Sequence, residues 1–147
     1  MARTKVSLDS LRGLLRAAGL RSTAPRVAVL QHLQGCSVPL SHGEFVAALA
    51  SHGYDAATIY RNLIDLEGAG FVGRVNLGDN VWRFELRGTT GDSHAKGEHP
   101  HFVCLQCGEI TCLADVRVKL SPAPGSVKSV VSTISDIVLK GQCTRCA

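Results

Sequence analysis

Residues 55–86, DAATIYRNLIDLEGAGFVGRVNLGDNVWRFEL, contain the change of period that decides the fold. Asp55 suits the cap of a helix, because its carboxylate accepts the orphan amides of a first turn. Ile59, Leu63 and Leu66 then recur at helical spacing on one face, and Gly70 ends the run. Phe71 to Leu77 reads as a strand and Gly78-Asp79-Asn80 as a turn. From Val81 to Leu86 the residues alternate, with Trp82, Phe84 and Leu86 on one face and Val81, Arg83 and Glu85 on the other. A helix that runs straight into a hairpin is the second half of a winged helix-turn-helix. The helix capped by Asp55 is then the recognition helix.

Upstream, three more helices are expected. Leu8, Leu11, Leu15 and Ala18 keep helical spacing up to Gly19. Thr23 is placed to cap a second helix, with Pro25 in its first turn and Val29, Leu30 and Leu33 facing inward. Ser41-His42-Gly43-Glu44 has the form of a capping box, followed by Phe45, Ala48 and Leu49. Residues 1–86 are therefore expected to form a winged-helix domain, an architecture suited to binding DNA. Residues 87–98, RGTTGDSHAKGE, read as a hinge. Residues 99–147 are expected to form a small metal-binding dimerisation domain, with apolar stretches at 101–104, 109–113 and 127–139. That half is too short to bury much core, so a metal and a partner subunit would both add stability. The expected class is α+β, an N-terminal winged helix followed by a C-terminal α/β zinc-containing unit.

Composition fits this division. The 147 residues allow one medium domain or two small ones, and 45% hydrophobic with 19% charged residues is a soluble, globular balance. No apolar run reaches the roughly 18 residues of a membrane span. Asp9 and Arg12 interrupt the N-terminal apolar residues, so no signal peptide is read and a cytoplasmic location is expected. Thiols stay reduced there, which favours metal over disulfide. The net charge is +4, but Arg3, Lys5, Arg12, Arg16, Arg21 and Arg26 face only Asp9 within the first thirty residues. Such a cluster, Arg21 included, suits a phosphate backbone. Thr58, Arg61, Asn62 and Asp65 are expected on the face opposite Ile59, Leu63 and Leu66, with Tyr60 at its flank. Thr58, Arg61 and Asn62 are able to hydrogen-bond to base edges or phosphates. An ordinary solvated helix face has the same pattern, so spacing alone leaves both readings open.

Cys104-Leu-Gln-Cys107 and Cys143-Thr-Arg-Cys146 form two CxxC pairs, with Gly108 suited to the turn after the first. A two-residue gap lets both thiolates grip one ion, and two such pairs complete a closed, tetrahedral structural zinc site. Neither pair has the strand-helix context of a redox CxxC. A zinc deaminase would need His-x-Glu and an open metal position. His99-Pro100-His101 lacks that Glu and the four cysteines close the ion, so no enzyme is expected. On a strand, His99 and His101 point the same way and reach one further ion.

The stretches AAGLRSTAPRVAVLQHL (17–33) and ATIYRNLIDLEGAGFVGRV (57–75) resemble the DNA-binding half of the ferric uptake regulator family. The family pattern is met by Gly19, Leu20, Thr23 and Arg26, then by Thr58, Ile59, Tyr60, Arg61, Leu63 and Leu66. The resemblance runs on through the cysteine pairs. It implies a dimeric repressor of metal-homeostasis or peroxide-response genes, with Tyr60 and Arg61 meeting operator DNA. It also supports the four-cysteine zinc. It implies a regulatory metal site, filled by Zn²⁺ or by Fe²⁺ or Mn²⁺, that uses His99, His101 and Glu85 of Phe84-Glu85-Leu86.

The chain departs from the family pattern in four places. Pro39 stands where a histidine is often found, with His42 three residues on as the candidate replacement. Cys112 stands where some members carry an acid, and Ser135 stands for a histidine of the last strand. Pro122 and Pro124 would break the helix expected between the first knuckle and the last strand, whereas Val116, Val118 and Leu120 alternate like a strand. The dimerising half is therefore expected to be trimmed or rearranged. A Cys112 thiolate would shift the regulatory site toward zinc, as in a zinc-uptake-regulator-like member. His94 is a weaker candidate ligand, and His32, His52 and Cys36 read as structural. The leading function is a metal-responsive repressor of zinc- or iron-uptake genes. The alternatives are a peroxide sensor of the same family and a zinc scaffold that does not bind DNA.

Overall fold

A computed structural model describes residues 5–87, 99–125, 131 and 133–147. The expected hinge, apart from Arg87, and His94 within it lie outside the described residues, as do parts of the 127–139 stretch. The chain opens with α1 (Leu8–Ala17), capped by Ser7, whose Oγ accepts the Ser10 amide at 3.2 Å. Next comes α2 (Ala24–Gln34). Thr23 stands at its N-cap without a side-chain capping bond, and Pro25 in the first turn has no amide to satisfy. A two-residue strand, β1 (Leu40–Ser41), leads into α3 (His42–Ala48). The capping box forms there: Glu44 N donates to Ser41 Oγ at 3.3 Å, and Ser41 N donates to the Glu44 carboxylate at 2.7 Å.

A 3-10 turn (Ala50–His52) ends at Gly53, φ 73°, and Asp55 starts α4 (Ala56–Gly68) by accepting the Thr58 amide at 2.6 Å. Gly70, at φ 82°, turns the chain into the hairpin of β2 (Val72–Asn76) and β3 (Trp82–Leu86). The sheet order is β1-β3-β2, antiparallel throughout, with Leu40 opposite Phe84 and Arg74 opposite Phe84 on the other side. Leu11, Leu15, Leu30, Leu33, Phe45, Ile59, Leu63, Leu66 and Phe84 are fully buried in one apolar core. Each such side chain contributes about 1.5–3 kcal/mol by leaving water.

The C-terminal sheet has the order β5-β4-β6. Strand β4 (His101–Cys104) pairs antiparallel with β5 (Ile110–Cys112) and parallel with β6 (Val138–Gly141). No helix among the described residues is long and apolar enough to cross a membrane.

Two expectations need correction, and one strand is new. The sequence reading did not foresee β1, because a two-residue strand has no period to read. Trp82 does not share the burial of Phe84. The core covers only the Leu86 end of β3, and Trp82 stays 49% exposed with the Arg74 guanidinium 4.5 Å from its ring. The alternation of Val116, Val118 and Leu120 does not make a strand: residues 116–123 are irregular and these three side chains are exposed. With no described strand beside them, their backbone groups have no ladder to join.

Two candidate metal centres and a reading helix

Pairing of β4 with β6 sets Cys104 beside Gly141 and so brings the two CxxC turns together. The first turn closes through the Gly108 amide on the Cys104 carbonyl at 2.9 Å, the second through the Cys146 amide on the Cys143 carbonyl at 3.0 Å. Gly108 lies at φ 73°, which glycine adopts without strain. The Gln142 amide donates to Gln106 at 2.6 Å and Arg145 pairs with Glu109 at 2.6 Å, so both knuckles are tied laterally. The four Sγ atoms of Cys104, Cys107, Cys143 and Cys146 lie within 4.8 Å of one another, with Cys107 and Cys143 at 3.8 Å. Zinc–sulfur bonds of roughly 2.3 Å in a tetrahedron put sulfurs about 3.8 Å apart, so the cluster is of the right size for the ion.

Electrostatics say the same. Backbone amides of Cys107, then Cys143 and Gln106, lower the Cys104 thiol to about 6. Hydrogen bonds to the Cys143 and Cys107 sulfurs push Cys146 up to about 12. The two thiols move in opposite directions because one thiolate makes the next costlier, and a divalent cation would remove that conflict. The direction for Cys104 is the firmer of the two, since fixed backbone donors cause it; Cys143 N lies 3.4 Å from its sulfur.

The second cluster lies where the wing meets the C-terminal sheet. Glu85 is buried although it points away from the helical core, because His99 and His101 cover it. Its Oε2 is 3.0 Å from His101 Nε2 and 3.4 Å from His99 Nε2. The two imidazoles are tilted at 57° with centroids 4.8 Å apart. Cys112 is the direct antiparallel partner of His101. One ligand atom from each of His99, His101 and Cys112 therefore falls within 4.8 Å of the others. Burial opposes ionisation of Glu85, yet hydrogen bonds from His101 and His99 and their charges outweigh it and hold the carboxyl at about 2. Two ring nitrogens and a half-buried thiol lie together, with the Glu85 carboxylate against both imidazoles, and such a donor set suits a borderline divalent ion.

His42 does not join this cluster. As the first residue of α3 its ring reaches the start of α4, where Nε2 lies 2.8 Å from the Ala56 carbonyl and the ring meets Tyr60 edge-on at 5.4 Å. The expectation of His42 as a regulatory ligand is thus not met in this arrangement; its ring supports the reading helix instead.

On α4, Tyr60 and Arg61 are exposed and Thr58 is half-buried. Arg21, in the α1–α2 loop, is exposed as well. Asn62 departs from its expected place: it is only 8% exposed and its amide donates to the Thr58 carbonyl at 2.8 Å. Position i+3 from Ile59 lies on the edge of the apolar stripe, so helical spacing alone put Asn62 on the wrong side of that edge. Sequence reading also missed that Arg26 reaches across to Asp65.

A winged helix joined to these two clusters is the build of a metal-dependent transcriptional regulator. The model of the ferric uptake regulator family matches residues 17–128. A ferric uptake regulation protein of Pseudomonas aeruginosa is 38% identical over 108 residues, covering 71% of this chain and 75% of the relative. A peroxide-responsive repressor, PerR, of Staphylococcus aureus is 34% identical over 98 residues, covering 65% of this chain and 61% of the relative. The solved structure of the Pseudomonas aeruginosa ferric uptake regulator with manganese superposes with a TM-score of 0.60 at 26% identity, covering 95% of this chain and 99% of that one. The chain belongs to the ferric uptake regulator family.

Proposed function

We propose that the chain is a homodimeric repressor that binds double-stranded operator DNA when a regulatory metal is loaded, and that it controls metal-uptake genes. One observation carries this reading. Glu85 of the wing meets His99 and His101, which in turn share a cluster with the half-buried Cys112, while the reading residues stand on the helix just before that wing. An ion held there would tie residues 1–86 to residues 99–147 across the segment 87–98. It would favour one angle between the halves, and with it one spacing of recognition helices in the dimer. The ion supplies charge and fixed ligand directions; the protein does the rest. Arg61 and Tyr60 approach base edges, Thr58 and Arg21 approach phosphates, and Asn62 stiffens α4 from inside. The four cysteines hold a structural zinc that keeps the C-terminal half folded. A Cys112 thiolate in the second cluster favours Zn²⁺ over Fe²⁺ and Mn²⁺.

The similarity to a peroxide-responsive repressor supports a second reading, in which the cluster holds an oxidisable iron. One experiment separates the two. Selection of duplexes from a random pool, run with Zn²⁺, Fe²⁺ or Mn²⁺, yields a palindromic operator with zinc at the lowest free concentration if the first reading holds. Enrichment with iron alone, abolished by peroxide, supports the second. No enrichment with any metal would defeat both and leave a scaffold.

A further inference from the structure

The first turn of α2 carries a charged side chain that no part of the metal mechanism uses. Arg26 is almost enclosed, with 11% of its side chain exposed. One guanidinium nitrogen donates to the Arg21 carbonyl at 2.8 Å, and the other pairs with the carboxylate of Asp65 on α4. Its Nε is buried without a hydrogen-bond partner. The side chain thus commits two of its nitrogens to two separate elements, the α1–α2 loop and α4, and leaves one buried N–H unsatisfied. Both of its partners lie on DNA-facing parts of the proposed interface. Arg21 sits in the basic α1–α2 loop, beside a groove lined by Arg16, Gly19, Leu20, Ser22 and Thr23. Asp65 sits one turn beyond Arg61 on the reading helix, half exposed.

We propose that Arg26 and Asp65 form a positioning strut that sets the phosphate-contacting loop at a fixed distance and angle from the recognition helix. This rests on the reading of α4 as the DNA-reading helix. The two contacts lie at opposite ends of one planar fork. A lysine, a single point of charge on a flexible stem, cannot hold both at once. Asp65 also accounts for itself in this scheme. An acid on a DNA-facing helix repels phosphates, and its presence there is explained if its role is to hold Arg26.

The strut makes a prediction opposite in sign to simple electrostatics. Asp65→Asn removes a negative charge from the interface, so charge alone predicts tighter binding to every duplex. The strut predicts that Asp65→Asn weakens binding to the selected operator by about tenfold, the effect of losing one charge-assisted hydrogen bond. Binding to a scrambled duplex should stay unchanged or tighten. Arg26→Lys should do the same to the operator while helical content and zinc content match the parent. The assay is fluorescence anisotropy with both duplexes, alongside amide hydrogen exchange of residues 19–23 in DNA-free protein. Exchange in the loop should speed up in both variants. If Asp65→Asn binds the operator as tightly as the parent or better, the strut is wrong. If the parent selects no operator, the DNA reading fails instead. Loop exchange still judges the strut in that case, and unchanged protection in both variants would overturn it.

Discussion

The two ends of this chain are held together by different physics. The helical half buries a continuous set of leucines, valines and phenylalanines, with seven of its Leu and Ile side chains at 0–1% exposure. Among the described residues of the C-terminal half, only Cys104, His99 and His101, together with Pro100, are buried, while Leu105, Val116, Val118, Leu120, Ile134 and Leu139 are exposed. One half is folded by apolar burial. Among its described residues, the other buries side chains able to hold an ion and leaves apolar side chains exposed. The difference teaches where regulation can act. A metal has little hold over a unit that carries its own core, but strong hold over one that lacks it.

The largest expected effect follows from that contrast. Stripping metal with a strong chelator, or the substitution Cys104→Ser, should unfold the C-terminal half, because structural zinc contributes on the order of 10 kcal/mol to small metallodomains. Hydrogen exchange should then show loss of protection in β4–β6 with α1–α4 still protected. Equal loss in both halves would mean that the helical core is not self-sufficient. Leu63→Ala is the converse. Its fully buried side chain should cost about 2–5 kcal/mol of helical-half stability and leave zinc content unchanged.

Arg61→Ala comes next, weakening operator binding by about 1–3 kcal/mol without changing either half's melting. Arg21→Ala should weaken all duplexes alike and flatten the salt dependence. The smallest effect belongs to the wing turn. Asp79 accepts two bonds from Arg83, at 2.7 and 2.9 Å, and these lower its carboxyl from 3.8 to about 2. A folded pKa below the unfolded one means that the contribution is present above pH 3.8 and is lost as pH falls through about 2. The pair is partly solvated, so acid titration of Asp79→Asn should differ from the parent only slightly, and only in that window.

Much of the helical half is legible in sequence because its signals are local. Asp55, Ser41 and Glu44 are caps, and each forms its bond in the structure. The clusters are legible for a related reason: a CxxC turn and a His-x-His strand each confine two donors within a few residues. What escaped was set by partners far away in the chain. Nothing around residue 82 says that the core ends before Trp82, nor around residue 62 that Asn62 falls inside the stripe. His42 looked like a ligand by chain position, but its ring is turned to Ala56 by the packing of α3 on α4. The bond from Arg26 to Asp65 spans 39 residues, and no spacing rule reaches that far. Cys112 is the instructive case. Its place beside His101 follows from the β4–β5 register, which the tight turn between the strands fixes.

The central claim is that two separate ions do two separate jobs, and that only the second one switches DNA binding. A cobalt titration tests it most directly, since Co²⁺ bound by thiolates absorbs strongly in the near ultraviolet. Metal-free protein is titrated with Co²⁺ while anisotropy of labelled operator is read in the same cuvette. The account predicts two equivalents per protomer. The first should build intense sulfur charge transfer with no change in operator binding. The second should add a weaker thiolate band, lost in Cys112→Ser, and bring operator binding with it; Glu85→Ala should block that second step alone. Full operator binding at one equivalent, or an unaltered second step in Glu85→Ala, would contradict it.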